Sequence, residues 1–489
     1  MIEFGEYLPD LPPYKNPGTT EAKNCIPWGK GYKELGSLSA YSTNALDARA
    51  QGAFGAQDSD GNTTIFAGDA SKIYKLTDTT WGDVSLAGGY NTAEDATWDF
   101  IQFGDTVIAT NYADAMQKWT LGSSTAWANL GGSPPKARHL AVVRDFVVCG
   151  NLDESGTLTP NKIRWSAIDN AEDWSASPTT QSDSQVIAGN GGAVQGIVGG
   201  EYGVIFLERS IYRMTYVGSP LIFQFDEVEQ TRGTAVPGSI AALGNLVFYL
   251  SDEGFYQFDG TQSIPIGANK VDKTFYTTRA FDQSYRSRVT SAIDPINHLV
   301  LWAFPGTGHT AGDPNFCMIY DWVNKKWSYA EFDCQMIFRS LSTGYTLDTL
   351  DTISTDLDSL AFSLDSRAWT GGSVLLAAFD TSNQLAYFSG TALAAVLDTT
   401  EFQPIPGRRS FINKVRPIVD GTGATTTVQM GTREDHQTAN AFASAVSVNS
   451  TGDAPVRSDS RYHRIRCNIS GGFDFAQGVD VTWRARGQR

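Results

Sequence analysis

A hairpin unit recurs along most of this chain, and it narrows the possible folds more than any other feature. Its copies occupy residues 64–76, 100–109, 140–149, 197–206, 240–249, 292–301, 316–327 and 375–387. Each copy runs apolar strand, tight polar turn, apolar strand. Gly-Asp or Gly-Asn, or an Asp or Asn alone, sits at most bends, as at Gly68 and Asp69, Gly104 and Asp105, and Gly244 and Asn245. Those positions want a positive φ or a side chain that bonds its own backbone. One four-stranded unit cannot bury its own apolar faces, so hairpins recurring at roughly 35 to 60 residues predict a propeller or a solenoid. A pair of ordinary β-sandwiches is the competing architecture. The expected fold class is all-β: a β-propeller with an N-terminal extended arm, insertions, and a C-terminal β-sandwich-like domain. A propeller is a scaffold and promises no chemistry by itself.

Composition agrees with a turn-dense β protein. The 489 residues include 48 glycines, 12% aromatics and only 18% charged residues, which suits sheets rather than long helices or disorder. Helical periodicity is confined to 438–445, a stretch too short to stand alone. The formal net charge is −16, but unevenly spread. Residues 401–489 hold 12 Lys+Arg against 8 Asp+Glu, a balance of +4, which leaves −20 on residues 1–400. Proteins that grip nucleic acid by releasing counterions carry the opposite sign, so non-specific nucleic-acid binding is not expected.

The five cysteines (Cys25, Cys149, Cys317, Cys334, Cys467) are scattered and lack CxxC spacing. They form neither a disulfide framework nor a zinc motif, which points to folding in a reducing cytoplasm. The first residues, Met1 to Tyr7, carry acids where a secretory signal carries Lys or Arg, and no apolar segment follows. Apolar runs such as 299–304 have strand length and are far short of a membrane span.

Three regions follow from these patterns. Residues 1–40 are an extended arm, punctuated by Pro9, Pro12, Pro13, Pro17 and Pro27, with Leu8, Leu11, Tyr14, Ile26 and Trp28 placed to lie on another surface. Residues 41–400 are the propeller, with insertions expected at about 150–195 and 340–372. The second of these holds an Asp-rich stretch, 347–366. Leu-Asp steps there suit surface turns, and a calcium loop is the rarer reading because the EF-hand order and its Gly are missing. Residues 401–489 alternate apolar with Arg- or Thr-bearing positions and form a small antiparallel β domain.

No catalytic signature stands out. None of the five histidines has a metal or triad neighbour in sequence, and no GxSxG, HExxH or Walker A motif occurs. Residues 189–196 are Gly-rich but lack the GK[ST] of a phosphate cradle. Residues 251–256 (SDEGFY) resemble a sialidase Asp-box with altered spacing. Their plainer reading is a blade turn, with Asp252 capping the bend, Gly254 turning it, and Phe255 and Tyr256 packing between blades. Trp165, Trp174, Trp302, Trp322 and Trp327 lie in or beside expected strands and are read as blade packing. No catalytic, cofactor or metal residue is assigned. A propeller glycosidase with paired carboxylates, or a carbohydrate-binding propeller without turnover, is the alternative function.

An ordered series of segments carries a resemblance. They are RWSAIDNAEDW at 164–174, ERSIYRMTYVGSP at 208–220, YLSDEGFYQFDGT at 249–261, IPIGANKVD at 264–272 and RSDSRYHRIR at 457–466. Together they resemble the tail nozzle, or packaged-DNA stabilisation (tail tubular B-like), proteins of short-tailed bacteriophages, from about residue 60 to the C-terminus. The resemblance implies a structural, non-enzymatic virion protein of the tail, assembled in the host cytoplasm. It implies a homohexameric ring below the portal and adaptor, with tail fibres or spikes nearby, and packaged double-stranded DNA passing its lumen without specific binding. The −20 of residues 1–400 permits an acidic lining, which would hold few phosphates. The +4 segment would then meet an acidic adaptor surface, with Arg461, Arg464 and Arg466 as candidate contacts and Trp28 as a further assembly contact.

Overall fold

Five consecutive four-stranded antiparallel sheets span 52–83, 99–129, 136–186, 194–229 and 241–265, a sixth blade of four strands spans 290–331 within a larger sheet, and a seventh completes the circle. The computed structural model describes residues 1–342, 344 and 371–487. Within each sheet the strands follow chain order, as in blade one: Gly52–Gln57, Thr63–Gly68, Ile73–Thr77, Thr80–Asp83. The first strands of the blades adjoin around a central axis, and the first strand of blade seven returns to that of blade one. Blade seven takes Met336–Leu341, Val374–Phe379 and Leu385–Tyr387 from late in the propeller. Its outermost strand, Ser39–Ala40, comes from the N-terminal segment, with Ala40 opposite Ala386 and Ser39 opposite Tyr387. Closing the circle with the other end of the chain pairs the last blade.

Each gap between blades has its own apolar core. Phe66, Trp98, Trp119 and Trp127 fill the space between blades one and two. Leu140, Val147 and Trp174 pack with Ile108 between two and three. Trp165, Ile205 and Phe223 pack between three and four, and Phe206, Tyr249 and Phe258 between four and five. Leu301, Ile319 and Ile337 join six to seven, and Trp81 and Phe379 join seven to one. The gap between five and six holds Phe255, Trp302 and Trp327, and this core continues without a break into the C-terminal domain.

That domain is a β-sandwich built from both ends of the chain. One sheet orders Cys25–Trp28, Gly31–Glu34, Phe475–Ala485, Ser410–Asp420 and Ser458–Ser460, with Ile2–Glu3 beside Phe475–Ala485. The other begins in blade six: its last strand, Lys326–Glu331, pairs through Tyr329 with Lys23 of Ala22–Lys23. Ala22–Lys23 then pairs with Ala395–Asp398, and Tyr462–Ser470 and Thr425–Arg433 follow, making a ten-stranded sheet. Phe4, Tyr32, Ile412, Val415, Ile465 and Val479 fill the space between the two sheets.

The structure revises several expectations. Residues 1–40 are not an arm laid on a finished surface; they supply strands to both sandwich sheets and to blade seven. Pro27 is accommodated because Cys25–Trp28 lies at a sheet edge. Residues 150–195 are not an insertion but the body of blade three, whose second and third strands are each nine residues long. The hairpins at 292–301 and 316–327 belong to one blade, so eight hairpins make seven blades. Residues 438–445 hold the strand Ala441–Phe442 rather than a helix. The Asp-rich stretch 347–366 lies outside the described residues.

Candidate functional site

The SDEGFY turn joins the second and third strands of blade five, and its polar work is done by a residue that the motif does not contain. Phe255 donates its backbone N–H to Oδ1 of Asp272, at 3.1 Å, from the short helix Asp272–Thr277. Gly254 has φ +134°, and a Cβ there would fall 2.2 Å from the Asp272 carboxylate. Burial, opposed by that hydrogen bond, pushes the Asp272 carboxyl up to about 7. Asp252 is exposed at the tip of the turn, and among the described residues its side chain makes no capping bond. Phe255 packs on Trp302 and Trp327, at ring-centroid distances of 4.9 and 5.1 Å, and Tyr256 packs with the core between blades four and five. Trp165, Trp174, Trp302 and Trp327 are likewise buried between blades, and Trp322 is partly buried against the core of blade six.

Strand alternation decides the fate of the C-terminal arginines. In Tyr462–Ser470, His463, Ile465, Cys467 and Ile469 point into the sandwich, so Arg464 and Arg466 share the other face. There both meet Asp398, whose side chain is fully buried. Arg466 binds it with Nε at 2.8 Å and a terminal nitrogen at 3.0 Å, and Arg464 adds a further ion pair. Arg466 also lies 4.2 Å from the ring centroid of Phe442. These two guanidiniums, expected as assembly contacts, are committed within the chain. Arg461 is partly buried. Trp28 is 43% exposed, with the Lys33 ammonium 5.0 Å from its ring.

The same face continues into a network that joins all three regions. Glu21 accepts the hydroxyl hydrogen of Tyr329 from blade six and lies 4.0 Å from Arg466. Arg279 stacks 3.8 Å from the Tyr329 ring and pairs with Glu21 and Glu331, and Lys23 pairs with Glu331. Burial raises the Glu21 carboxyl above its ordinary range, against the pull of the Tyr329 hydrogen bond. Glu21, Arg279 and Asp398 escape sequence reasoning because their partners lie tens to hundreds of residues away.

Around the propeller axis is a cavity of about 670 Å³, lined by Phe54, Asp99, Ile101, Ala141, Ile197 and Ile240 among others. It has the size of a ligand pocket. Asp99 is the one acid of its lining, so the propeller axis does not present the acidic lining that the charge balance permits. Asp99 accepts the N–H of Leu140 at 2.8 Å, and burial pushes its carboxyl up to about 7. Where the first strands begin, a second cavity of about 430 Å³ opens, lined by Asp95, Tyr112, Arg138, His139, Gln195 and Arg286 with several neighbours. Beside it, Arg288 is 6% exposed and pairs with Glu94 at 2.9 Å and Asp313 at 3.7 Å. Burial, then the nearby Arg288, lowers the Arg49 guanidinium to about 10.

Strand pairing thus defines the chain as a seven-bladed β-propeller, closed by its own N-terminal segment and fused to a β-sandwich. No protein-family model and no curated protein matches it. Among solved structures, it is matched with the computationally designed Ika8 protein at 12% identity, over 73% of this chain and 99% of that one, with a TM-score of 0.37. A chain of the mitotic checkpoint complex matches at 8% identity over 74% and 95%, and the Pan2 WD40 domain of Neurospora crassa at 8% over 74% and 96%, each with a TM-score of 0.38.

Proposed function

We propose that this protein is a structural subunit of a short-tailed phage tail. Six copies form a nozzle that closes the DNA channel, retains the packaged genome and passes it at ejection. The observation that carries this reading is the unbroken apolar core and ten-stranded sheet running from blade six through Ala22–Lys23 into the sandwich. Domains within one chain usually meet through modest interfaces and move on their linkers. A channel wall holding compressed DNA needs the opposite, a stiff two-part body, and shared main-chain hydrogen bonds supply it. The ordered segments from 164–174 to 457–466 support the same reading.

In this arrangement DNA runs along the axis of the ring, between copies. The acid excess of residues 1–400 disfavours phosphate contacts that would hold the duplex. The adaptor and portal lie above the ring, and fibres or spikes beside it. Trp28 remains a candidate contact, whereas Arg464 and Arg466 act inside the subunit. The test is genetic. Particles assembled without the protein are expected to package DNA and then lose it, as read by nuclease-accessible genome in purified particles. Stable, infectious particles lacking it would overturn the proposal.

A further inference from the structure

The cavity at the axial mouth has features that the assembly role does not use. It forms where five elements converge: the approach to blade two (Asp95, Thr97), the first strand of blade three (Arg138, His139), Gln195 of blade four, the turn Pro237–Ser239, and Arg286 and Ser287 before blade six. His139 lines both this cavity and the axial one. Its Nε2 is shielded from solvent and has no hydrogen-bond partner. Burial, with Arg138 alongside, lowers the imidazole to about 3, so the ring is neutral. A buried polar atom left unpaired costs about 1–3 kcal/mol, which a bound ligand would recover.

Two arginines reach the same space. Arg138 is exposed and lies 4.5 Å from the Tyr112 ring centroid, and Arg286, also exposed, lines the same cavity. Neither has an ion-pair partner among the described residues. Arg288 close by has two such partners, Glu94 and Asp313. Against Arg138 and Arg286 the cavity sets one acid, Asp95, so its lining is net +1 in a chain of −16. Planar guanidiniums without ion-pair partners favour carboxylates. The rim adds apolar surface: Leu158, 64% exposed, with Pro160 and Pro237.

We propose that this mouth binds an organic acid: a carboxylate received by Arg138 and Arg286 with a hydrogen bond to His139, carried beside a small apolar group that rests on Leu158 and Pro160. The acid is either a free small molecule or the side chain of a peptide. This site does not depend on the nozzle role.

The test is calorimetric titration of the full chain with the C-terminal amide of N-acetyl-leucyl-aspartate, its equally amidated asparagine counterpart and 3-methylbutanoate. The aspartyl compound is expected to bind about tenfold or more tighter than the asparaginyl one, the range of one charge-assisted contact. The double variant Arg138→Gln, Arg286→Gln should abolish that preference without changing the melting temperature, because both side chains are exposed. Asp95→Asn should tighten acid binding severalfold by removing a like charge. Binding of 3-methylbutanoate as tight as the dipeptide assigns the site to free acids, and binding of the dipeptide alone assigns it to peptides. Equal affinity for the aspartyl and asparaginyl compounds, a preference that survives the double variant, or no binding of any of the three compounds would overturn the proposal.

Discussion

Asp398 and Arg466 are register partners on adjacent strands, and their side chains close a two-point ion pair of 2.8 and 3.0 Å. Because Asp398 is fully buried and also receives Arg464, a single carboxylate holds two guanidiniums at the seam between sandwich and propeller. Breaking a buried pair from one side costs about 3–5 kcal/mol, less where the remaining charge reaches water. The arginine side chains keep 12% and 26% exposure. Asp398→Asn is therefore expected to destabilise the protein by about 2–3 kcal/mol in urea denaturation. A loss below about 0.5 kcal/mol would show that the arginines are held by other groups.

Asp99 gives a pH dependence with a definite sign. Its carboxyl is about 7 in the folded protein against an ordinary 3.8. Between these values the folded state binds more protons than the unfolded one, so this group's contribution to stability falls as pH rises from about 4 to about 7. Asparagine can still accept the Leu140 N–H and cannot ionise. Asp99→Asn should thus match the parent near pH 4 and exceed it by up to roughly 4 kcal/mol at pH 8, read from urea denaturation at both pH values. A difference that does not change with pH would contradict the burial of this carboxylate.

The SDEGFY turn separates two neighbouring residues. Gly254 has φ +134° and faces the Asp272 carboxylate, so Gly254→Ala adds both backbone strain and a clash, and should cost about 2–4 kcal/mol. Asp252 is exposed, and Asp252→Ala should stay within about 0.5 kcal/mol of the parent. Thermal or urea unfolding of the pair reads both. Equal losses would restore Asp252 as the cap of this bend.

Removal of residues 1–40 tests the shared architecture. It takes the closing strand from blade seven, the bridging strand Ala22–Lys23 from the ten-stranded sheet, and three strands from the other sandwich sheet. The truncated chain is expected to lose cooperative unfolding and to aggregate, since blade seven and the sandwich both gain open edges. A monomer with an unchanged melting transition, by calorimetry and light scattering, would contradict the strand exchange.

Much of the propeller was legible in the sequence because hairpins are local. Turns such as Gly104 and Asp105 lie between strands that pair directly, and the pattern survives in each blade. The closing strand was not legible, because Ser39–Ala40 is two residues long and pairs with residues near 386, leaving no periodicity to read. Blade three looked like an insertion because its long second and third strands run beyond the core into polar sequence at 153–162. The mouth cavity draws on elements from Asp95 to Arg286 that only the closed circle brings together. Arg464 and Arg466 were found as a basic pair, but the buried acid that binds them sits 66 and 68 residues earlier, in a strand with no charged pattern.

The most direct measurement is electron microscopy of the purified full-length protein at high concentration, supported by mass from light scattering. The nozzle account predicts closed rings of six copies, with a central opening wide enough for duplex DNA and the seven-bladed discs arranged around it. A monodisperse monomer, or rings whose only opening lies along the axis of each propeller, would contradict it.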